Sequence, residues 1–217
     1  MSDVNWTMNE RTIVRKTNRE GVQETFVSPH LTKVKQGERM QFDAHINVES
    51  LPQGQHLKKA TIFSNVPNGG TWELISDEGT AVGGRGTAPS PLMYFAAGIG
   101  LCLMSHVEML AQKLDLKIDS VRLEQKTSFT TTLDLGGIHP KHVFGKGEYS
   151  EMHLIMESSE KPEKLKLFAS WCQQACMALQ TVSANTPAPT ALYLNNRRID
   201  IEGNPARPEP QERYLSA

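Results

Sequence analysis

The sequence is poor in cysteine and in aromatic residues, and its positive and negative charges almost balance. Three cysteines among 217 residues, an odd number, do not fit the disulfide framework of a small secreted protein. A formal net charge of −1 provides no general positive field for nucleic acid or for an anionic membrane. We therefore expect a protein that binds neither.

Long apolar runs are also missing. The first 16 residues contain no apolar run and do not resemble a secretory signal. The longest apolar stretch, residues 91–104, has 14 residues and is too short to span a bilayer. These absences predict a soluble cytoplasmic protein, and 217 residues suffice to bury a substantial core.

Alternation of apolar and polar side chains predicts most of the strands. Residues 38–49 alternate strictly, which indicates a strand with one buried face. Similar patterns predict strands at residues 60–63, 72–75, 120–135, 148–157 and 190–194. Because the connections within each group are short, we expect antiparallel pairing, and the fold class is α+β with helices packed on antiparallel sheets.

Two helices are predicted between these strands. The first begins after Ser90, a good N-cap, with Pro91 in its first turn, and it continues to about Leu114. Since this helix is apolar on nearly every side, we expect it to be buried centrally and covered by a second copy in a homodimer. The second helix opens near Pro162, and its single apolar stripe includes Cys172, Cys176 and Leu179.

The three cysteines are the candidate reactive residues. Apolar burial silences a thiol, so Cys102 needs a cation from elsewhere in the fold, such as Arg85, to become reactive. Cys172 and Cys176 lie one turn apart on one helix face and cannot easily bridge each other. A disulfide from Cys102 to either one is reasonable if the helices pack together. All three could equally be inert core residues.

A zinc site is an alternative interpretation. Cys102 and His106 are four residues apart, as are Cys172 and Cys176, and these side chains are typical zinc ligands. Structural zinc sites usually use turns, so the pattern favours no metal. The glycines at 83–86 complete neither a P-loop nor a dinucleotide fingerprint, and we expect no cofactor.

Three segments together resemble the family of osmotically inducible protein C and organic hydroperoxide resistance protein (OsmC/Ohr). Residues 76–102 resemble the segment that leads into the central helix of that family and ends at its reactive cysteine. Residues 113–121 resemble the exit from that helix. Residues 152–163 and 175–187 resemble the second helix with its resolving cysteine. The resemblance implies an intertwined homodimer with antiparallel sheets around two central helices.

The resemblance also divides the chain into three parts. Residues 57–202 would form the OsmC-like domain. Residues 1–56 would be an N-terminal extension with short strands, and residues 203–217 a flexible, proline-rich tail.

The activity implied is that of a thiol-dependent peroxidase in the response to oxidative stress. The Cys102 thiolate would attack the O–O bond of an organic hydroperoxide and become a sulfenic acid. Cys176 would condense with that sulfenic acid to form a disulfide, and an external dithiol would reduce it. Cys172 has no role in this cycle.

Members of the family hold the thiolate with an arginine that a glutamate orients. Arg85 is the candidate here, with Arg39 as a second. Where members carry a glutamate at the helix start, this chain has Leu92 or Met93, and Met177 stands where a proline commonly follows the resolving cysteine.

Two other functions remain open at this point. One is a non-peroxidatic OsmC-like protein that binds a small apolar ligand or a partner in the same cleft. The other is a zinc-binding variant that uses Cys102, His106, Cys172 and Cys176.

Overall fold

The computed structural model describes residues 13–17, 39, 42–51, 56–64, 66, 69–132, 143–184, 186–195 and 197–199. These residues form eight strands, three α-helices and one short 3-10 turn. The chain divides into two compact units, with the boundary between Met93 and Tyr94. The three-part division at residues 56 and 202 stays a prediction.

The first unit contains a four-stranded antiparallel sheet. Its strands are β1 (Val14–Thr17), β2 (Ala44–Ser50), β3 (Lys58–Ser64) and β4 (Thr71–Ser76), in the order β1-β4-β3-β2. The strands predicted at 60–63 and 72–75 are confirmed as β3 and β4.

Strand β2 differs from its prediction in burial. It lies at the edge of the sheet, paired through Ile46 with Ile62 of β3. Ile46 and Val48, which the alternation assigned to a buried face, are 59% and 58% exposed. The prediction of a buried face is therefore wrong for these two residues within this chain. Alternation indicates that one face of a strand is apolar, and does not indicate what covers that face.

The second unit packs its helices on a long antiparallel hairpin. In chain order its elements are α1 (Pro91–Lys113, whose first three residues precede the unit boundary), β5 (Ile118–Thr131), β6 (Gly145–Ser158), α2 (Pro162–Ala175), α3 (Met177–Ser183), β7 (Leu192–Leu194) and β8 (Arg197–Ile199). Strands β5 and β6 pair along nearly their whole length. The predicted α+β class with antiparallel sheets is confirmed, while β8 was not predicted.

The core of this unit lies between the helices and the hairpin. Its buried members are Ile99, Leu103, Val107, Phe168, Cys172, Cys176 and Leu179. Alternate residues of the hairpin pack against them, among them Val121 and Leu123 of β5 and Met152, Leu154 and Met156 of β6. The apolar side chains that alternate along the strands and those that recur every three or four residues along the helices therefore pack together in one core.

Helix α1 is buried along one stripe only. Ile99, Gly100, Leu103 and Val107 are buried, whereas Leu101 is 70% and Met109 is 55% exposed. In the single chain α1 is thus covered on one side only, and the cover that we expect from a second copy stays a prediction. By length and composition alone, α1 is the one helix in the described ranges that could cross a membrane. The core helix of a soluble protein passes the same test.

Candidate functional site

Two of the three cysteines lie beside one histidine in the second unit. The Sγ atoms of Cys102 and Cys176 and a ring nitrogen of His106 all lie within 4.8 Å of one another. We call these three residues the thiol–imidazole cluster. Cys102 is partly buried and Cys176 is fully buried, and all three cysteines are reduced. The structure thus places Cys102 next to Cys176.

The backbone at Cys176 interrupts what the sequence predicts as one continuous helix. Cys176 is extended, with φ −72° and ψ 103°, and its N–H donates to the carbonyl of Cys172 at 3.0 Å, which ends α2. Its Sγ then accepts the N–H of Leu179 at 3.4 Å and caps the start of α3. Neither a glycine nor a proline marks this break, so the apolar stripe gave no sign of it.

Cys172 belongs to the core and not to the cluster. Its fully buried Sγ lies 3.9 Å from the carbonyl oxygen of His106, to which its thiol can donate. Burial raises the pKa of the Cys172 thiol from an ordinary 9.0 to about 11. The four-ligand zinc set is therefore not assembled, because the Cys172 sulfur is not among the ligand atoms that lie within 4.8 Å of one another.

The pKa of Cys176 is also raised above its ordinary value. Burial is the largest cause, and the neighbouring Cys102 raises the pKa further, while the N–H of Leu179 lowers it. Cys176 is therefore a neutral thiol at neutral pH.

The imidazole of His106 is held by the backbone of its own helix. Its Nδ1 lies 2.8 Å from the carbonyl oxygen of Cys102 and 4.0 Å from the Sγ of the same residue. A carbonyl oxygen only accepts, so Nδ1 carries the proton in this hydrogen bond. The lone pair of the neutral ring then resides on Nε2.

The position of α1 depends on close contact with β5. A Cβ placed on Gly100 would meet the Oε1 of Gln125 at 2.7 Å and the Cδ2 of Leu123 at 3.0 Å. The Nε2 of Gln125 in turn donates to the carbonyl of Ala96 at 3.0 Å. Glycine thus allows the helix to approach the hairpin two residues before Cys102.

The glycine-rich loop before α1 is organised by Asp77 of the first unit. The buried Asp77 carboxylate accepts the backbone N–H groups of Glu78, Arg85 and Thr87 and the hydroxyl of Thr87, at 2.8–3.3 Å. The two bonds from Thr87 are the main reason that the pKa of Asp77 is lowered. Since this carboxylate occupies the amides of the loop, the segment is a structural turn and not an anion site.

Arg85 lies in this loop with an exposed side chain. Within the described residues, its guanidinium forms no ion pair. Its role in stabilising the Cys102 thiolate stays a prediction. The second candidate, Arg39, is exposed as well.

A buried carboxylate paired with an arginine occurs on the first sheet, and sequence reasoning missed it. Arg15 of β1 donates through Nε and Nη2 to one oxygen of Glu73 on β4. The side chain of Glu73 is only 6% exposed, and that of Arg15 is 60% exposed. The sequence indicates this pair only weakly, because the two residues are 58 positions apart and meet only when β1 pairs with β4.

Comparison with solved structures gives several similar chains. One is an OsmC-like hydroperoxide resistance protein from Jannaschia sp. CCS1, 19% identical, covering 74% of this chain and 97% of its own, with a TM-score of 0.47. Another is an OsmC-like protein from Mycoplasma pneumoniae, 14% identical, covering 69% and 90%, with a TM-score of 0.45. An organic hydroperoxide resistance protein OsmC from Legionella pneumophila is 15% identical, covering 67% and 91%, with a TM-score of 0.44.

No curated protein matches the chain. The family model described as OsmC-like protein matches residues 84–190. That segment includes α1, α2, α3, the β5–β6 hairpin and all three cysteines. Residues 84–190, which are 107 of the 217 residues, are therefore similar to the OsmC-like proteins.

Proposed function

We propose that the protein is a thiol-dependent peroxidase that reduces organic hydroperoxides in the cytoplasm, with Cys102 as the attacking and Cys176 as the resolving residue. One observation carries the proposal: the two sulfur atoms lie within 4.8 Å of each other, the first partly exposed and the second buried. A disulfide has an S–S bond of about 2.05 Å, so the sulfurs must approach by no more than about 3 Å.

The proposed cycle begins at Cys102, the partly exposed residue of the pair. The Cys102 thiolate attacks one oxygen of the hydroperoxide, the O–O bond breaks, and the alkoxide leaves and takes up a proton as the alcohol. The Cys102 sulfur is then a sulfenic acid. The neutral Cys176 thiol condenses with it, which forms the S–S bond and releases water. An external dithiol returns two electrons and two protons and restores both thiols.

The burial of Cys176 supports this division of roles. A fully buried thiol with a raised pKa is a poor first nucleophile toward a solute, whereas it is well placed to react with a neighbouring sulfur. Cys172 is equally buried, and its sulfur faces a backbone carbonyl. It takes no part in the proposed cycle.

The arginine that stabilises the thiolate has two candidates. Arg85 is the one that the sequence suggests first, and Arg39 is the second. Replacing each by lysine keeps the charge and removes the planar fork. The variant that raises the pH at which Cys102 becomes alkylated identifies the stabilising residue.

The activity test uses cumene hydroperoxide with dithiothreitol as the reductant. Cys102→Ser abolishes hydroperoxide consumption, and Cys176→Ser leaves a sulfenic acid on Cys102 that dimedone traps. Cys172→Ala is the matched control, which retains turnover. If Cys102→Ser consumes hydroperoxide at the rate of the unchanged protein, the peroxidase is excluded. An unreactive Cys102 favours a protein that binds an apolar ligand or partner instead.

We also propose that the protein acts as a homodimer. Leu101 and Met109 of α1 are 70% and 55% exposed in the single chain, and both are large apolar side chains. A second copy that covers them would remove this apolar surface from water. Light scattering at micromolar concentration gives twice the chain mass of 24.1 kDa if the proposal holds, and the mass of one chain if it does not.

A further inference from the structure

The thiol–imidazole cluster has the composition of a metal site as well as that of a redox pair. Two thiolates and one imidazole are ligands that zinc prefers, and three protein ligands with one open position are typical of zinc sites that exchange their fourth ligand. We propose that the reduced protein binds one Zn²⁺ ion through Cys102, His106 and Cys176.

The distances fit such an ion with a small closure of the cluster. Zinc bonds of about 2.3 Å to sulfur and 2.0–2.1 Å to nitrogen place tetrahedral ligand atoms about 3.3–3.8 Å apart. The two Sγ atoms and one ring nitrogen of His106 lie within 4.8 Å of one another without an ion, and the Cys102 Sγ lies 4.0 Å from Nδ1. In the proposed site, rotations of the three side chains bring Nε2 and the two sulfurs to these separations.

The tautomer of the imidazole suits this role. The hydrogen bond from Nδ1 to the Cys102 carbonyl, at 2.8 Å, is the kind of contact that fixes the tautomer of metal-binding histidines. It leaves Nε2 with the lone pair that a metal needs. Cys172 stays outside, because its sulfur faces the carbonyl of His106.

Binding and peroxide chemistry exclude each other at this cluster. Zinc displaces one proton from each of the two thiols, so that both sulfurs become metal-bound thiolates. A disulfide between the same sulfurs removes two of the three ligands. Zinc therefore blocks formation of the disulfide, and oxidation to the disulfide releases zinc. The site itself does not require that the protein be a peroxidase.

The experiment titrates the reduced full-length protein with Zn²⁺ against a colorimetric chelator, and with Co²⁺ as an optical probe. One equivalent binds, Co²⁺ gives a thiolate charge-transfer band in the near ultraviolet, and Cys102 becomes protected from alkylation. His106→Ala weakens zinc binding by more than about 100-fold, because it removes a ligand. Loss of a residue that only hydrogen-bonds a ligand costs about 10–100-fold. His153→Ala, at an exposed histidine on β6, and Cys172→Ala leave the affinity unchanged.

The outcomes separate this proposal from the peroxidase. No stoichiometric binding by the reduced protein, or equal affinity in His106→Ala and His153→Ala, overturns the zinc site. His106→Ala that still forms the Cys102–Cys176 disulfide with hydroperoxide leaves the peroxidase standing on its own. Zinc binding by a protein whose Cys102 is inert to hydroperoxide overturns the peroxidase alone.

Discussion

Replacement of two glycines in α1 by alanine tests how the helix that carries Cys102 is positioned. Gly98 and Gly100 lie on the same helix, two residues apart. Nothing lies within 4 Å of a Cβ built on Gly98, whereas one built on Gly100 meets Gln125 at 2.7 Å and Leu123 at 3.0 Å. The methyl group that alanine adds therefore meets no neighbour at Gly98 and crowds β5 at Gly100.

The magnitudes follow from these contacts. Alanine in place of glycine stabilises a helix interior by about 0.5–1 kcal/mol, so Gly98→Ala raises the free energy of unfolding by that amount. At Gly100 this gain is outweighed. Overpacking costs about 1–3 kcal/mol, and displacing the Gln125 amide loses its bond to Ala96, about 0.5–1.5 kcal/mol. Gly100→Ala is thus destabilising by about 0.5–4 kcal/mol.

Thermal unfolding followed by circular dichroism measures both variants. One kcal/mol shifts Tm by about 2–4 °C in a chain of this size, so the two variants move Tm in opposite directions. Gly100→Ala with a Tm equal to or above that of Gly98→Ala would show that α1 does not pack closely against β5.

Two further predictions concern the thiols. At neutral pH, iodoacetamide labels Cys102 in the folded, reduced protein and reaches Cys172 and Cys176 only after unfolding, as peptide masses report; early labelling of Cys172 would contradict its burial. Because the folded Cys172 thiol keeps its proton up to a pKa of about 11 while the unfolded thiol ionises near 9.0, stability falls as pH rises across that window. Urea unfolding of Cys172→Ala shows a smaller loss of stability over the same pH range. A loss equal to that of the unchanged protein would show that Cys172 is not its cause.

The sequence predicted elements whose pattern is local. The starts of α1 at Pro91 and of α2 at Pro162 follow from proline, and the hairpin strands follow from alternation. The break at Cys176 was missed, since a sulfur that caps a helix start leaves no mark in the spacing.

Burial was harder to predict than secondary structure. Leu101 and Ile46 have apolar neighbours in sequence, yet both are exposed in the single chain. An apolar side chain favours burial, but which surface buries it depends on the tertiary or quaternary structure. The Arg15–Glu73 pair was not predicted for a related reason, because the pairing of strands decides which distant residues come into contact.

The candidate site was predicted in part. Cys102, Cys176 and His106 were all named from their spacing, and the structure brings these three together. Cys172 was placed in the same zinc set because it shares a helix face with Cys176 under ideal periodicity. The break after Ala175 separates the two, so that one sulfur reaches Cys102 and the other faces a carbonyl.

Peptide mapping of the oxidised protein tests the central claim most directly. The reduced protein is treated with one equivalent of cumene hydroperoxide, alkylated after unfolding, digested and analysed by mass spectrometry. The account predicts a mass loss of about 2 Da, a peptide pair that joins Cys102 to Cys176, and a fully alkylated Cys172. A Cys102–Cys172 bridge, or three alkylated cysteines with no bridge, would contradict it.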